Sequence, residues 1–262
     1  MKVKTVTVSR RRRERFYTQK IRVPKTRING QKISLTLPHL AEFTVDDIRN
    51  VAAVSGKCSL LTVQRLSCLV LAARRIAQHK IEGDVVECGV AAGGSSIVIM
   101  RSLLLNDSVR DVYLYDTYKG MPEPCKYDRK TRDITHAKTI YAEKEHWSEH
   151  SQKSVRKAIQ DKCPCYPFER IRFIEGKVED TIPGVIPDKI ALLHLDTDFY
   201  ESTKHELEHL FPRLAVGGVL ILDDYGAWSG AQRATDEYIK AHDIKIFLAP
   251  TDYTQRIGIK ES

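Results

Sequence analysis

The stretch Asp84-Val-Val-Glu-Cys-Gly-Val-Ala-Ala-Gly-Gly-Ser95 decides the fold class. It is a short apolar run that ends in a glycine-rich turn. Ser95 to Leu105 follows as a strongly apolar helix. A strand that turns through glycines straight into a helix is the opening unit of a parallel α/β sheet. The pattern repeats downstream. Asp111–Asp116, Ile171–Glu175, Lys189–Asp196 and Gly217–Asp223 are short β-forming runs, and Ser202–Leu214 and Ser229–Ala241 carry helical spacing. Two further strand-like runs, Lys245–Leu248 and Arg256–Lys260, close the chain. Strands that read as continuous apolar runs between helices predict a sheet covered on both faces. The expected fold is therefore α/β, with a doubly wound, mostly parallel, seven-stranded sheet over about residues 81–262.

Upstream of that domain the chain reads as helical over residues 31–80. Thr44 with Asp46 and Asp47 can cap a short helix that Gly56 ends. Residues 62–79 space Val63, Leu66, Leu69, Val70, Ala73 and Ile76 mostly three and four apart, the mark of an amphipathic helix. Between Met121 and Arg170 the α/β alternation is interrupted. That stretch is polar, with His136, His146, Trp147 and His150, and has one expected helix at 148–161. A long insertion after a strand's carboxyl end lies over the ligand crevice of an open α/β sheet, so we expect a substrate lid.

Composition narrows the class. Of the 262 residues, 42% are hydrophobic and 29% charged, ordinary globular values that exclude a disordered chain, collagen and a disulfide scaffold. No apolar run approaches the roughly 20 residues of a membrane span, and no secretory leader is visible. The six cysteines form no CxxC pair, so they are expected to be reduced in a cytoplasmic protein. The net charge of +8 is uneven. Residues 1–30 hold 11 Lys or Arg and one acid, whereas the rest holds 31 basic and 33 acidic side chains. Such an arm suits nucleic acid, an acidic lipid surface, a phosphorylated substrate or plain solvation. It lacks the interleaved aromatics of a single-strand-binding groove.

Polar groups recur at the strand ends, where ligands bind in such sheets. Glu87, Gly89, Val90, Ala91, Gly93, Gly94 and Ser95 form an acid-x-Gly turn that lets backbone approach a ligand and opens a helix with free N–H donors. A tight turn with packing glycines explains the same residues. Asp116 ends the second strand, where an ionised carboxylate can accept from both hydroxyls of a ribose. Asp196 and Asp198 end one strand, and Asp223 and Asp224 another. Clustered carboxylates repel, and a hard divalent cation such as Mg²⁺, Mn²⁺ or Ca²⁺ resolves that conflict. Helix caps are the alternative. His194 alternates with Asp196 and is either packed or catalytic. No HExxH, GxSxG or GxxxxGK[ST] motif is present, which removes zinc peptidases, hydrolases of the nucleophile-elbow type and P-loop NTPases.

Several segments then come in a telling order: Glu87–Ser95, Asp116-Thr-Tyr-Lys-Gly-Met-Pro122, Glu179-Asp-Thr-Ile-Pro183, Leu195–Thr203 and Gly217–Gly226. Together they resemble the macrocin O-methyltransferase family (TylF/MycF type), over about residues 60–260. The resemblance implies a class I, Rossmann-like methyltransferase fold, S-adenosylmethionine, Mg²⁺ and methylation of a sugar hydroxyl on a glycosylated natural product. By motif position it assigns Asp196, Asp223 and Asp224 to the metal and Asp198 to the general base; we keep His194 or an insertion histidine as the reserve base on our own reading of the residues. The resemblance assigns the Glu87–Ser95 turn, Asp116, Thr117 and Gly120 to the cofactor, puts Gly176 near the adenine, and starts at Thr62 the helix that closes over the cofactor's amino-acid end. Ala91 and Ala92 depart from the bulkier residues common there, and the basic arm matches no family motif. A small-molecule partner, no nucleic acid, no membrane and a homo-oligomer are expected. Two other readings share the features: a methyltransferase of catechol-like diols, and a nucleic-acid-binding protein or RNA methyltransferase guided by the arm.

Overall fold

The apolar stripe of residues 62–79 does become a helix. In the computed structural model, which describes residues 27–28, 31–32, 42–144 and 147–261, α2 spans Val63–Gln78. Thr62 caps it by accepting from the Arg65 amide, and Leu66, Leu69, Val70, Ala73 and Ile76 are all fully buried. Before it, α1 (Val45–Val54) starts in a capping box in which Thr44 and Asp47 satisfy each other's amides. A two-residue antiparallel pair, β1 (Arg27–Ile28) and β2 (Gln31–Lys32), precedes α1. Most of the basic arm and His146 lie outside the described residues.

The sheet contains β3 (Asp84–Cys88), β4 (Val112–Asp116), β5 (Ile171–Glu175), β6 (Ile190–Leu195), β7 (Leu214–Leu222), β8 (Ala249–Pro250) and β9 (Arg256–Ile259). Their order is β5-β4-β3-β6-β7-β9-β8. The first five are parallel, and β9 adds antiparallel to β7, with β8 beyond it. This is the mostly parallel seven-stranded sheet expected. The last expected strand, Arg256–Lys260, is β9, whereas the one before it differs in place: residues 245–248 are not a strand, and β8 follows them.

Alternation along the strands separates two cores. Val85, Leu114, Leu192, Val219 and Ile221 face α1, α2 and α3 (Gly94–Leu104). Val86, Tyr115, Leu193, Leu195 and Leu222 face α7 (Tyr200–Leu210), while Tyr238 of α8 (Ser229–Ala241) closes that layer. The short α6 (Val178–Thr181) lies between β5 and β6. The region after β4 holds two helices where one was expected, α4 (Ala137–Glu143) and α5 (Gln152–Lys162). Val155 and Ile159 of α5 join the α3 core, so α5 is the crossover helix that a parallel β4–β5 pair requires. Among the described residues no helix is long and apolar enough to cross a membrane.

Candidate active site

The chain runs outward from β3 to β5 on one side of the sheet and from β6 to β8 on the other, so the topological switch lies between β3 and β6. Cys88 pairs with Leu195, which sets Gly89 opposite Asp196. Gly89 adopts φ +84°, and a Cβ there would lie 2.0 Å from the Asp196 carbonyl oxygen. The cleft at this point is lined by Gly89, Tyr115, Asp116, Thr117, Gly120, Met121, Gly176, Lys177, Glu179, Asp196, Thr197 and Ser202. Thus Gly89, Asp116, Thr117, Gly120 and Gly176 share one wall system with Asp196.

The rest of the glycine-rich turn serves the frame. A Cβ on Gly94 would meet the Cys58 carbonyl oxygen at 2.3 Å, and one on Gly93 would touch Val155 of α5. Val90 and Ser95 are buried. Asp116 Oδ2 accepts from the Val90 amide at 2.7 Å and the Ala91 amide at 2.9 Å, and its Oδ1 accepts from Tyr118 N at 2.7 Å. The carboxylate therefore ties the turn to β4 and keeps one lone pair on Oδ1 unused by these three bonds. Thr62 donates its hydroxyl to Asp252 Oδ2 at 3.1 Å, beside Arg65 rather than in the cleft.

Four carboxylates gather at the β6 and β7 ends. Register sets Asp196 beside Asp223, since Leu195 pairs with Leu222. The Asp198 amide donates to Asp224 Oδ2 at 3.1 Å, and Asp198 holds a left-handed φ of +65°. Burial pushes the Asp196 carboxyl well up, and the charges of Asp223, Asp198 and Glu87 add to this against Arg65. Burial also raises Asp224, with Asp198 and Asp196 adding to it. Burial raises Asp198 too, although hydrogen bonds from Asp224 and Trp228 oppose the rise. Asp223 is enclosed, with Arg65 Nη1 on Oδ2 and Gln255 Nε2 donating to Oδ1 at 2.8 Å.

A carboxyl raised in the folded protein binds its proton more tightly there than in the unfolded chain. Stability from such groups is full at low pH and is lost as pH rises above the ordinary carboxylate range. In EDTA the protein is expected to melt roughly 3–6 °C higher at about pH 5.5 than at about pH 8. Excess divalent cation should close that gap, and scanning calorimetry reads both. A melting point in EDTA that climbs with pH would contradict the cluster's energetics.

Deeper in the same face, Glu87 and His194 are fully buried. His194 Nδ1 lies 3.0 Å from Glu87 Oε1, and the Ser96 hydroxyl donates to Oε2. Neither residue lines the cleft.

The insertion is fastened over the strand ends by a residue the sequence reading did not single out. Asp128, fully buried, accepts from Tyr200 N at 2.8 Å and Cys125 N at 2.7 Å. Gly230 makes room for it. Ser229 N donates to the Arg129 carbonyl at 2.8 Å, and Thr131 N to that of Ala227 at 2.9 Å. Trp147 packs on Phe199 and Trp228 at 5.9 and 6.0 Å. Asp128→Ala strands the buried Tyr200 amide and the part-buried Cys125 amide and should cost about 3 kcal/mol, a fall of roughly 6–12 °C in melting temperature. An unchanged melting temperature would show that the latch contributes nothing. Asp252 and Gln255 were also unforeseen. Burial would raise Asp252, but donors from Gln255 and Thr254 and the Arg65 charge hold it below the usual range.

Residues 38–256 match the model of the macrocin-O-methyltransferase (TylF) family. The 8-demethyl-8-(2,3-dimethoxy-alpha-L-rhamnosyl)-tetracenomycin-C 4'-O-methyltransferase of Streptomyces olivaceus is 32% identical over 75% of this chain and 73% of its own. The demethyldecarbamoylnovobiocin O-methyltransferase of Streptomyces niveus is 31% identical over 74% of this chain and 72% of its own. The structure of the O-methyltransferase NovP superposes with a TM-score of 0.69 at 26% identity, covering 79% of this chain and 84% of that one. With the glycine turn, the carboxylate cluster and the sheet order all in place, the chain belongs to the macrocin-O-methyltransferase (TylF) family and is an S-adenosylmethionine-dependent O-methyltransferase.

Proposed function

We propose that the enzyme methylates a hydroxyl on the sugar of a glycosylated natural product, with a divalent ion held by Asp196, Asp223 and Asp224. The observation that carries this reading is the gathering of four carboxylates beside the cleft that Gly89, Asp116, Thr117, Gly120 and Gly176 line. The relatives whose names mention rhamnosyl and novobiocin acceptors support the substrate class. The donor set fits the ion: three of the four acids are pushed up by burial and by one another's charge, and a divalent cation relieves both. Such an ion, when bound, lowers the pKa of an acceptor hydroxyl.

The chain's own part is positioning and proton removal. Residues Asp116 to Gly120 and Gly176 hold the nucleoside end, so the methyl carbon is presented toward Asp196. Asp198 takes the proton as the acceptor oxygen attacks the methyl carbon and the sulfur departs with its bonding pair. Burial raises the Asp198 carboxyl, which makes it a stronger base than a solvent-exposed aspartate. His194 is enclosed, so we place it behind the carboxylates rather than on the acceptor. Holding donor and acceptor in line supplies roughly 7–11 kcal/mol in well-oriented systems. The segment from Met121 to Trp147 serves as lid.

One observation favours a second acceptor class. Trp147 is half-buried beside Phe199 and Trp228, an aromatic wall that a catechol-like diol would use. Calorimetry with S-adenosylmethionine, with Mg²⁺ and again with EDTA, tests the cofactor. A panel of rhamnosylated polyketides, novobiocin-type glycosides and catechols, followed by mass spectrometry, tests the acceptor. We expect micromolar cofactor binding in both conditions and a single added methyl on the glycosides. Methyl transfer to catechols alone would favour the diol reading. No cofactor binding in either condition would overturn the assignment.

A further inference from the structure

The buried Glu87–His194 pair has no part in the reaction just described, yet it is built like the support of a metal ligand. We propose that His194 is itself a ligand, through Nε2, and that with Asp196 and Asp223 it makes a nitrogen-and-oxygen site for a first-row transition ion in preference to Mg²⁺. This rests on the reading that the strand-end carboxylates hold a divalent ion.

The hydrogen-bond chemistry fixes the imidazole. Glu87 is an acceptor, and one of its oxygens already takes the Ser96 hydroxyl. The other lies 3.0 Å from His194 Nδ1, so Nδ1 carries the proton that is donated there. That leaves the lone pair on Nε2, which is buried and has no hydrogen-bond partner. A buried polar atom without a partner calls for an explanation, and an absent ion is one. A carboxylate on the far nitrogen of a histidine is the usual support of a ligating imidazole, fixing its tautomer and raising its basicity.

The sheet brings the other donors to it. His194 and Asp196 are two residues apart and share a face of the sheet, and the register sets Asp223 beside Asp196. One ring nitrogen of His194 and one carboxylate oxygen from each of Asp196 and Asp223 lie within 4.8 Å of one another. Donors about 2.0–2.2 Å from a common ion stand roughly 3–3.6 Å apart, so the three side chains draw together when the ion binds. Arg65 now partners Asp223, and it keeps Asp252 when it yields that carboxylate. The donor set then decides the metal. Mg²⁺ is a hard ion that takes oxygens, whereas imidazole shifts the preference toward ions such as Mn²⁺, Co²⁺, Ni²⁺ and Zn²⁺.

The experiment strips the full-length protein with EDTA and titrates it with Mg²⁺, Mn²⁺ or Co²⁺ alone. We expect Co²⁺ to bind at least roughly tenfold tighter than Mg²⁺. The Mn²⁺-loaded parent should show nitrogen hyperfine modulation in pulsed electron paramagnetic resonance. His194→Gln should lose that modulation and weaken Co²⁺ by roughly tenfold or more while changing Mg²⁺ little, and Glu87→Gln should weaken Co²⁺ by roughly 10–100-fold. Should the variants fail to fold, the parent's spectrum alone decides. Absent nitrogen modulation overturns the proposal, as does equal loss of Mg²⁺ and Co²⁺ affinity in His194→Gln. S-adenosylmethionine binding is measured in parallel. Metal binding with nitrogen modulation but no cofactor binding would sink the methyltransferase reading and leave this site standing. Cofactor binding without any metal binding would do the reverse.

Discussion

Asp196→Asn is expected to lower kcat by at least about 10³-fold, equivalent to about 4 kcal/mol, while S-adenosylmethionine binds nearly as before. Asp196 is the one acid of the four that both lines the cleft and stands in the carboxylate cluster. The amide keeps the shape and loses the charge that a cation or a polarised hydroxyl needs. The nucleoside contacts lie on β3, β4 and the β5 end, so cofactor affinity should fall little. The same change should stabilise the protein in EDTA by about 1 kcal/mol, a rise of roughly 2–4 °C, because one member of a mutually repelling set is neutralised. Kinetics, calorimetry and melting in EDTA together separate a functional loss from misfolding. Full turnover of the variant in EDTA would end the metal role.

Gly89→Ala is expected to be severely damaging. The added carbon would lie 2.0 Å from the Asp196 carbonyl oxygen and 2.7 Å from its carbon. Both are backbone, so neither can swing aside. The left-handed φ adds its own penalty of about 1–2 kcal/mol. β3 and β6 would have to part where the crevice begins. We expect a loss above about 4 kcal/mol, a fall of roughly 8–16 °C in melting temperature, and no measurable cofactor binding. Gly56→Ala is the control, because Gly56 has a left-handed φ of +65° with no atom within 4 Å of the added carbon. It should cost only about 1 kcal/mol. Similar melting of the two variants would show that strain rather than the β3–β6 approach sets the effect.

These two residues also mark what could be read in advance. Gly89 and Asp196 stand out because a local pattern announces them: an apolar run, then a glycine or an acid where the run stops. The same logic found α1, α2 and α8 and the parallel strands. It failed where structure depends on partners far away. Asp128 is an ordinary polar residue in an ordinary polar stretch until Tyr200, 72 positions on, offers its amide. Gln255 becomes a site residue through Asp223, 32 positions earlier. α4 lacks a long enough apolar stripe to read, with only Ala137 buried. Glu87 looked like a ligand-facing acid because strand-end acids usually are. The pleat turned it inward to His194 instead.

The hydrogen bond between Gln255 and Asp223 has a consequence in time. The half of the sheet from β3 to β5 can pair once residue 175 has been made, and the cofactor wall is complete once β6 and the residues after it have added Asp196, Thr197 and Ser202. The acid bearing the Arg65 charge is not fixed until the segment around residue 255 folds back beside β7. A nascent chain can therefore hold a nucleoside-shaped cleft well before it can transfer a methyl group. Competence arrives last, when the antiparallel edge docks on β7 and brings Gln255 to Asp223.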